Sequence, residues 1–128
     1  MRPEASNWLD FAREDFQMAA LAKDNQLFNQ VCFHAQQAVE KMLKALIAEQ
    51  GAQPPRTHKT ADLLPLVSII DLSGQKTALI RLDRFYIPTR YPDALPGLLA
   101  DGMPNEQDAN EAIKTAEYLR ACIEKLSP

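Results

Sequence analysis

Apolar residues recur with a helical period along most of the chain, most clearly between Phe28 and Gln50. Phe28, Val31, Ala35, Val39, Met42, Leu43 and Leu46 fall on one broad stripe, with Gln30, Gln37, Lys41 and Lys44 opposite. No Pro or Gly interrupts this run before Gly51, which is placed to stop it. At about 1.5 Å per residue the helix is roughly 35 Å long, enough to span a small domain. Ala35 and Ala38 on its inner side let a neighbouring backbone approach closely, so a central helix is expected. Two residues break the pattern. Phe33 projects into the polar face near Asn29, Gln37 and Glu40, and Ile47 lies at the edge of that face. Apolar side chains displaced to the far side of a central helix predict a second contact surface, a dimer interface.

Residues 7–23 form the preceding helix, with Asn7 as its cap and Asp10 complementing the exposed amides. Trp8, Ala12, Ala19 and Ala22 share a face, with Phe11 and Phe16 on its flanks. Asp15 falls in the middle of that face. Buried without a partner, its carboxylate would cost several kcal/mol, so it requires a cation or hydrogen-bond donor, or else a groove to water. After the central helix, AQPPRTHKT is a loop stiffened by Pro54 and Pro55. Thr57 or Thr60 then caps a short helix carrying Leu63, Leu64, Leu66, Val67 and Ile70, and Asp71 to Gly74 make the next turn. A fourth helix starts near Gln75 with Ala78, Leu79, Leu82, Phe85 and Tyr86 on one face and Arg81 and Arg84 elsewhere. Pro88 kinks or ends it, and Pro92 and Pro96 leave 93–104 irregular. Asn105 caps the last helix, with Asp108 at its third position and an apolar stripe of Ala109, Ala112, Ile113, Ala116, Leu119, Ile123 and Leu126. No segment alternates as a strand does. The expected fold is all-α: one domain over residues 1–128, an up-and-down bundle of four to five helices.

Composition narrows the possibilities. A chain of 128 residues with 46% hydrophobic content can bury a single core, and a net charge of −3 with intermixed signs gives no general polyanion-binding surface. No apolar run reaches membrane-spanning length, and the start MRPEASNW lacks an apolar signal core, so a cytoplasmic protein is expected. Cys32 and Cys122 are far apart in helical patterns and read as small thiols of a reducing compartment. No His, Cys and carboxylate cluster has metal-ligand spacing, so neither metal nor cofactor is expected. SGQKT at 73–77 lacks the Gly-x4-Gly-Lys-Ser/Thr spacing of a phosphate loop and a strand before it.

CFHAQQAVEKMLKALI, from Cys32 to Ile47, resembles the HEPN family, small helical bundles named for nucleotide binding in higher eukaryotes and prokaryotes. Three further stretches agree in order: W-x3-A-x2-DF at Trp8 to Phe16, His58 before the third helix, and YIPTRYPDA from Tyr86 to Ala94, which points to the RYPD-containing type. The resemblance spans nearly the whole chain. It implies a bundle that usually dimerises and is frequently encoded beside a minimal nucleotidyltransferase, in some cases as a toxin–antitoxin pair. Many HEPN proteins are metal-independent ribonucleases with an Arg-x4–6-His motif, whose His moves protons and whose Arg stabilises phosphate charge. Here positions 27–29 before His34 and 51–53 before His58 hold no Arg, and no His follows Arg84 or Arg90. The motif is absent.

The candidate ligand-binding residues are therefore Arg90, Tyr86, Tyr91, Asp93, Arg84, Lys41 and Lys44, with Phe33 and Ile47 at the dimer interface. Arg90 lies between Pro88 and Pro92, where a stiff backbone directs a guanidinium suited to phosphate or carboxylate; pairing within the fold, with Asp93 or Asp15, is its alternative. Lys41 and Lys44 match the family's EK-x2-K pattern, against a solvated face with Glu40 and Lys44 paired at i,i+4. His34 reads as a surface or interface histidine, and His58 as a residue bonding loop backbone or capping a helix. The expected function is a non-catalytic, nucleotide- or phosphate-binding homodimer that acts with a nucleotidyltransferase. A divergent ribonuclease built from Arg84, Arg90 and Tyr91 and a purely structural dimerisation module are the alternatives.

Overall fold

The computed structural model describes residues 1–86 and 102–126. Among the described residues, five α-helical segments form and no strand does. They are α1 (Pro3–Asp24), α2 (Phe28–Glu49), α3 (Thr60–Leu63), α4 (Lys76–Arg81) and α5 (Glu106–Glu124), with single 3-10 turns at Leu64–Leu66, Ser73–Gln75 and Leu82–Phe85. No helix among them is long and apolar enough to cross a membrane.

Helix α1 starts four residues earlier than Asn7 would set it, because Pro3 occupies its first turn, where the missing N–H costs nothing. Ala5, Ala12, Ala19 and Ala22 are buried along its inner face and let α1 lie close against α2. Near the open end of that hairpin, Ala5 packs with Ala45 and Ala48. Helix α2 ends as expected. Gly51 adopts φ +87°, its N–H donates to the Ala48 carbonyl (2.9 Å) and that of Ala52 to the Ile47 carbonyl (3.3 Å). Beyond it the Gln50 side chain bridges to the next turn, donating to the Leu66 carbonyl (2.9 Å) and accepting from the Ser68 amide (2.7 Å).

α2 is covered by α1, by α5, and by α3 together with the 82–85 turn. It has almost no solvent face. Ile47 is therefore in the main core with Met42, Leu43 and Leu46, which corrects its assignment to an outer interface. Phe33 is half-buried against other rings of the same chain rather than standing exposed. Helix α5 closes the bundle with Ala109, Ala112, Ala116, Leu119 and Ile123, and its capping box is present in full: Asp108 N–H to Asn105 (2.9 Å) and Asn105 N–H to Asp108 (3.0 Å).

Neither Thr57 nor Thr60 caps α3. Its first amides, Thr60 and Ala61, donate to the two oxygens of Asp83 at 2.8 and 3.1 Å, so the cap comes from the turn after α4. Asp83→Ala should cost about 1–2 kcal/mol, as losing a helix cap does, and urea melts would show it. Asp83→Asn should retain part of that.

Cys32 is fully buried on α2, and burial, reinforced by the Asp108 carboxylate and opposed by Arg84, pushes its thiol from 9.0 up to about 12. The folded chain therefore keeps a proton that the unfolded chain releases above pH 9. This contribution to stability is intact below pH 9 and falls by about 1.4 kcal/mol per pH unit as pH rises toward 12. Melts of Cys32→Ala should lose stability less steeply than wild type across that window.

Candidate functional site

The helix α2 positions that look polar in projection carry a chain of buried polar contacts. Asp15, 6% exposed in the α1 seam, has both carboxylate oxygens taken by α2: Oδ1 by His34 Nδ1 at 2.9 Å and Oδ2 by the Lys41 ammonium at 2.5 Å. The need read from its place on an apolar face is thus met by Lys41 and His34, and no groove to water is required. His34 is accordingly not a surface residue but a carboxylate-held imidazole in the α1–α2 seam.

One turn on, Glu40 (3% exposed) repeats the arrangement. Its Oε2 lies 3.2 Å from the Lys44 ammonium and its Oε1 3.2 Å from His58 Nδ1. The expected i,i+4 pair of Glu40 and Lys44 forms, but inside the fold rather than on a solvated face, since Lys44 is only 5% exposed. The Lys44 ammonium also sits 5.2 Å from the centre of the Trp8 ring. The imidazole of His58 contacts Glu40 instead of capping α3, while its carbonyl accepts from Gln36 at 2.9 Å.

Two rings, Phe33 and Tyr86, join the two imidazole–carboxylate pairs. Phe33 stacks on Tyr86 with centroids 6.1 Å apart and planes 13° from parallel, and meets His34 edge-on at 5.2 Å. Tyr86 in turn lies 5.0 Å from His58, whose side chain is 56% exposed. In each histidine the carboxylate occupies Nδ1, which leaves Nε2 to exchange a proton or a hydrogen bond with a ligand.

The candidate residues divide accordingly. Tyr86 belongs to this ring cluster and Lys41 to its border. Lys44 lies further along the same face of α2, with its ammonium toward Trp8. Arg84 is separate: its guanidinium covers the Phe85 ring at 4.5 Å and lies 3.6 Å from Asp108, beside a cavity of about 250 Å³ also lined by Arg81, Glu111, Lys114 and Thr115. Its Nε is buried without a hydrogen-bond partner among the described residues. Arg90, Tyr91 and Asp93 lie outside the described residues. Among the described residues no group of His, Cys, Asp and Glu could hold a metal ion. Sequence reasoning missed both histidines, whose carboxylate partners lie 19 and 18 positions away. The one available signal was Asp15 on an apolar face.

An antiparallel α1–α2 hairpin closed by α5, with paired charges along the central helix, defines a small helical-bundle domain. The chain belongs to the HEPN family, whose HEPN domain model matches residues 5–126. It is similar to TT1696 from Thermus thermophilus, with 32% identity and a TM-score of 0.83 over 97% of this chain and 98% of that one. It is also similar to ST0689, an archaeal HEPN homologue, with 28% identity and a TM-score of 0.75 over 98% of both chains. No curated protein matches.

The Asp15 contacts predict an asymmetry. Lys41→Ala leaves a buried carboxylate with only an imidazole for company and should cost about 2–4 kcal/mol. Asp15→Ala leaves a lysine that is already 23% exposed and can turn to water, and should cost about 1 kcal/mol. Urea denaturation of the two variants and the double variant would check the order.

Proposed function

We propose that the protein is a non-catalytic HEPN module, a homodimer that binds a nucleotide or other phosphorylated ligand and works beside a minimal nucleotidyltransferase, as in a toxin–antitoxin pair. The observation that carries this reading is the ring cluster of Phe33 on α2, Tyr86 after the 82–85 turn and His58 in the loop before α3. A stacked and a tilted ring pair offer aromatic surface to a base, and base–aromatic stacking contributes about 1–3 kcal/mol. Arg90, four residues after Tyr86 in the sequence, is the candidate phosphate partner of a base on Tyr86, with Tyr91 and Asp93 in the same set. Lys41, Lys44 and Arg84 have structural partners in Asp15, Glu40 and Asp108 and leave it. For the homodimer, Ile47 is replaced by Phe11, Met18 and Leu21, which stand exposed along α1. Two imidazoles each held by a carboxylate favour a second reading, metal-independent acid–base cleavage of RNA without the Arg-x4–6-His spacing.

Titration calorimetry of the purified protein with AMP, ADP and ATP is the test. Tyr86→Ala and Arg90→Ala should each weaken binding roughly tenfold or more. No nucleotide binding by the wild type at millimolar concentration would overturn the reading. Metal-independent cleavage of transfer RNA, abolished in both His34→Gln and His58→Gln, would replace it with the second.

A further inference from the structure

A second cleft lies away from the ring cluster, between the start of α1, the end of α2 and the loop that follows it. Its volume is about 550 Å³, within the range of roughly 300–1,000 Å³ usual for small-molecule sites. Arg2, Trp8, Lys44, Gln53 and Arg56 line it, with Glu4 the acidic member. Lys44 is neutralised by Glu40, and its ammonium is held over the Trp8 ring. The two arginines are different. Among the described residues neither guanidinium forms a salt bridge; the Glu49 carboxylate at 2.7 Å from Arg2 takes the backbone N–H, not the side chain.

Backbone conformation shapes the cleft as well. Gly51 carries no side chain at φ +87°, and a Cβ there would lie 3.1 Å from an Arg2 guanidinium nitrogen. That bare corner lets Arg2 fold over the end of α2 and into the cleft wall. Pro54 and Pro55 form a stiff apolar edge near the half-buried indole of Trp8.

We propose that this cleft is a binding site for a small organic anion, with an oxyanion group between Arg2 and Arg56 and an apolar body against Trp8 and the two prolines. Guanidinium groups without internal partners suit a phosphate or carboxylate, each of which can take two parallel hydrogen bonds. The site is independent of the nucleotide reading, since Tyr86 and Arg90 take no part in it.

Trp8 is the chain's single tryptophan, so its fluorescence reports on this cleft alone. Phenyl phosphate and phenylacetate are the anionic probes, and benzyl alcohol the neutral control. A saturable emission change is expected with at least one anion, and the stronger of the two identifies the oxyanion. Arg56→Ala, an exposed position, should weaken it about tenfold or more with an unchanged melting curve, whereas Tyr86→Ala should leave it intact. No saturable change with either anion, an equal response to benzyl alcohol, or an undiminished response in Arg56→Ala would overturn the proposal.

Discussion

Burial of α2 on nearly every side is the constraint on which the rest of the structure depends. A helix in that position cannot turn its polar residues to water, so each must find a partner inside the fold. Gln36, Glu40 and Lys44, one turn apart, are all buried, and each is satisfied by a neighbour that thereby acquires a fixed place. Glu40 holds His58, Gln36 holds the backbone of the same residue, and Lys41 and His34 hold Asp15 of α1. Buried pairs of this kind add little net stability over an apolar replacement, but leaving one member unpaired is costly. Their consequence here is register. An α1–α2 seam made of alanines could slide; one crossed by the Asp15 contacts loses them with any shift of a turn.

How much of this was legible follows from which forces are local. The ends of α2 and the start of α5 were read closely because a C-terminal glycine and a capping box are fixed by neighbours a few residues away. The inner face of α1 and the anomaly of Asp15 were legible because a helix packed on one side keeps its period. α2 defeated the same method. Projection assumes one core and one solvent side, so Ile47 looked external, Lys44 solvated and His34 exposed, when all three face other elements of the chain. The cap of α3 was illegible for a related reason: Asp83 lies 23 residues from the amide it receives, and nothing near Thr60 announces it.

The candidate site inherits this arrangement. An imidazole held at Nδ1 by a carboxylate is a fixed ring with one nitrogen left over, whether it then orients a ligand or moves a proton. Its geometry is the same in both uses. The difference lies in what stands opposite, and for this chain that is Phe33 and Tyr86, flat surfaces with a single hydroxyl between them. Flat apolar rings bind bases; they do not stabilise charge on a phosphate, which is why the reading leans on binding and assigns the phosphate to Arg90.

Glu40 is shared by two neighbours on one face of α2. Its two oxygens point to different neighbours, Oε1 to the His58 that packs on Tyr86 and Oε2 to the Lys44 that sits over Trp8. A carboxylate shared at 3.2 Å on both sides cannot strengthen one contact without redistributing charge toward it. Displacing Lys44 from Glu40 at the Trp8 cleft would leave His58 and Gln37 as the remaining partners of a buried carboxylate. Glu40 thus stands between the ring cluster and the Trp8 cleft, which lies further along the same face of α2.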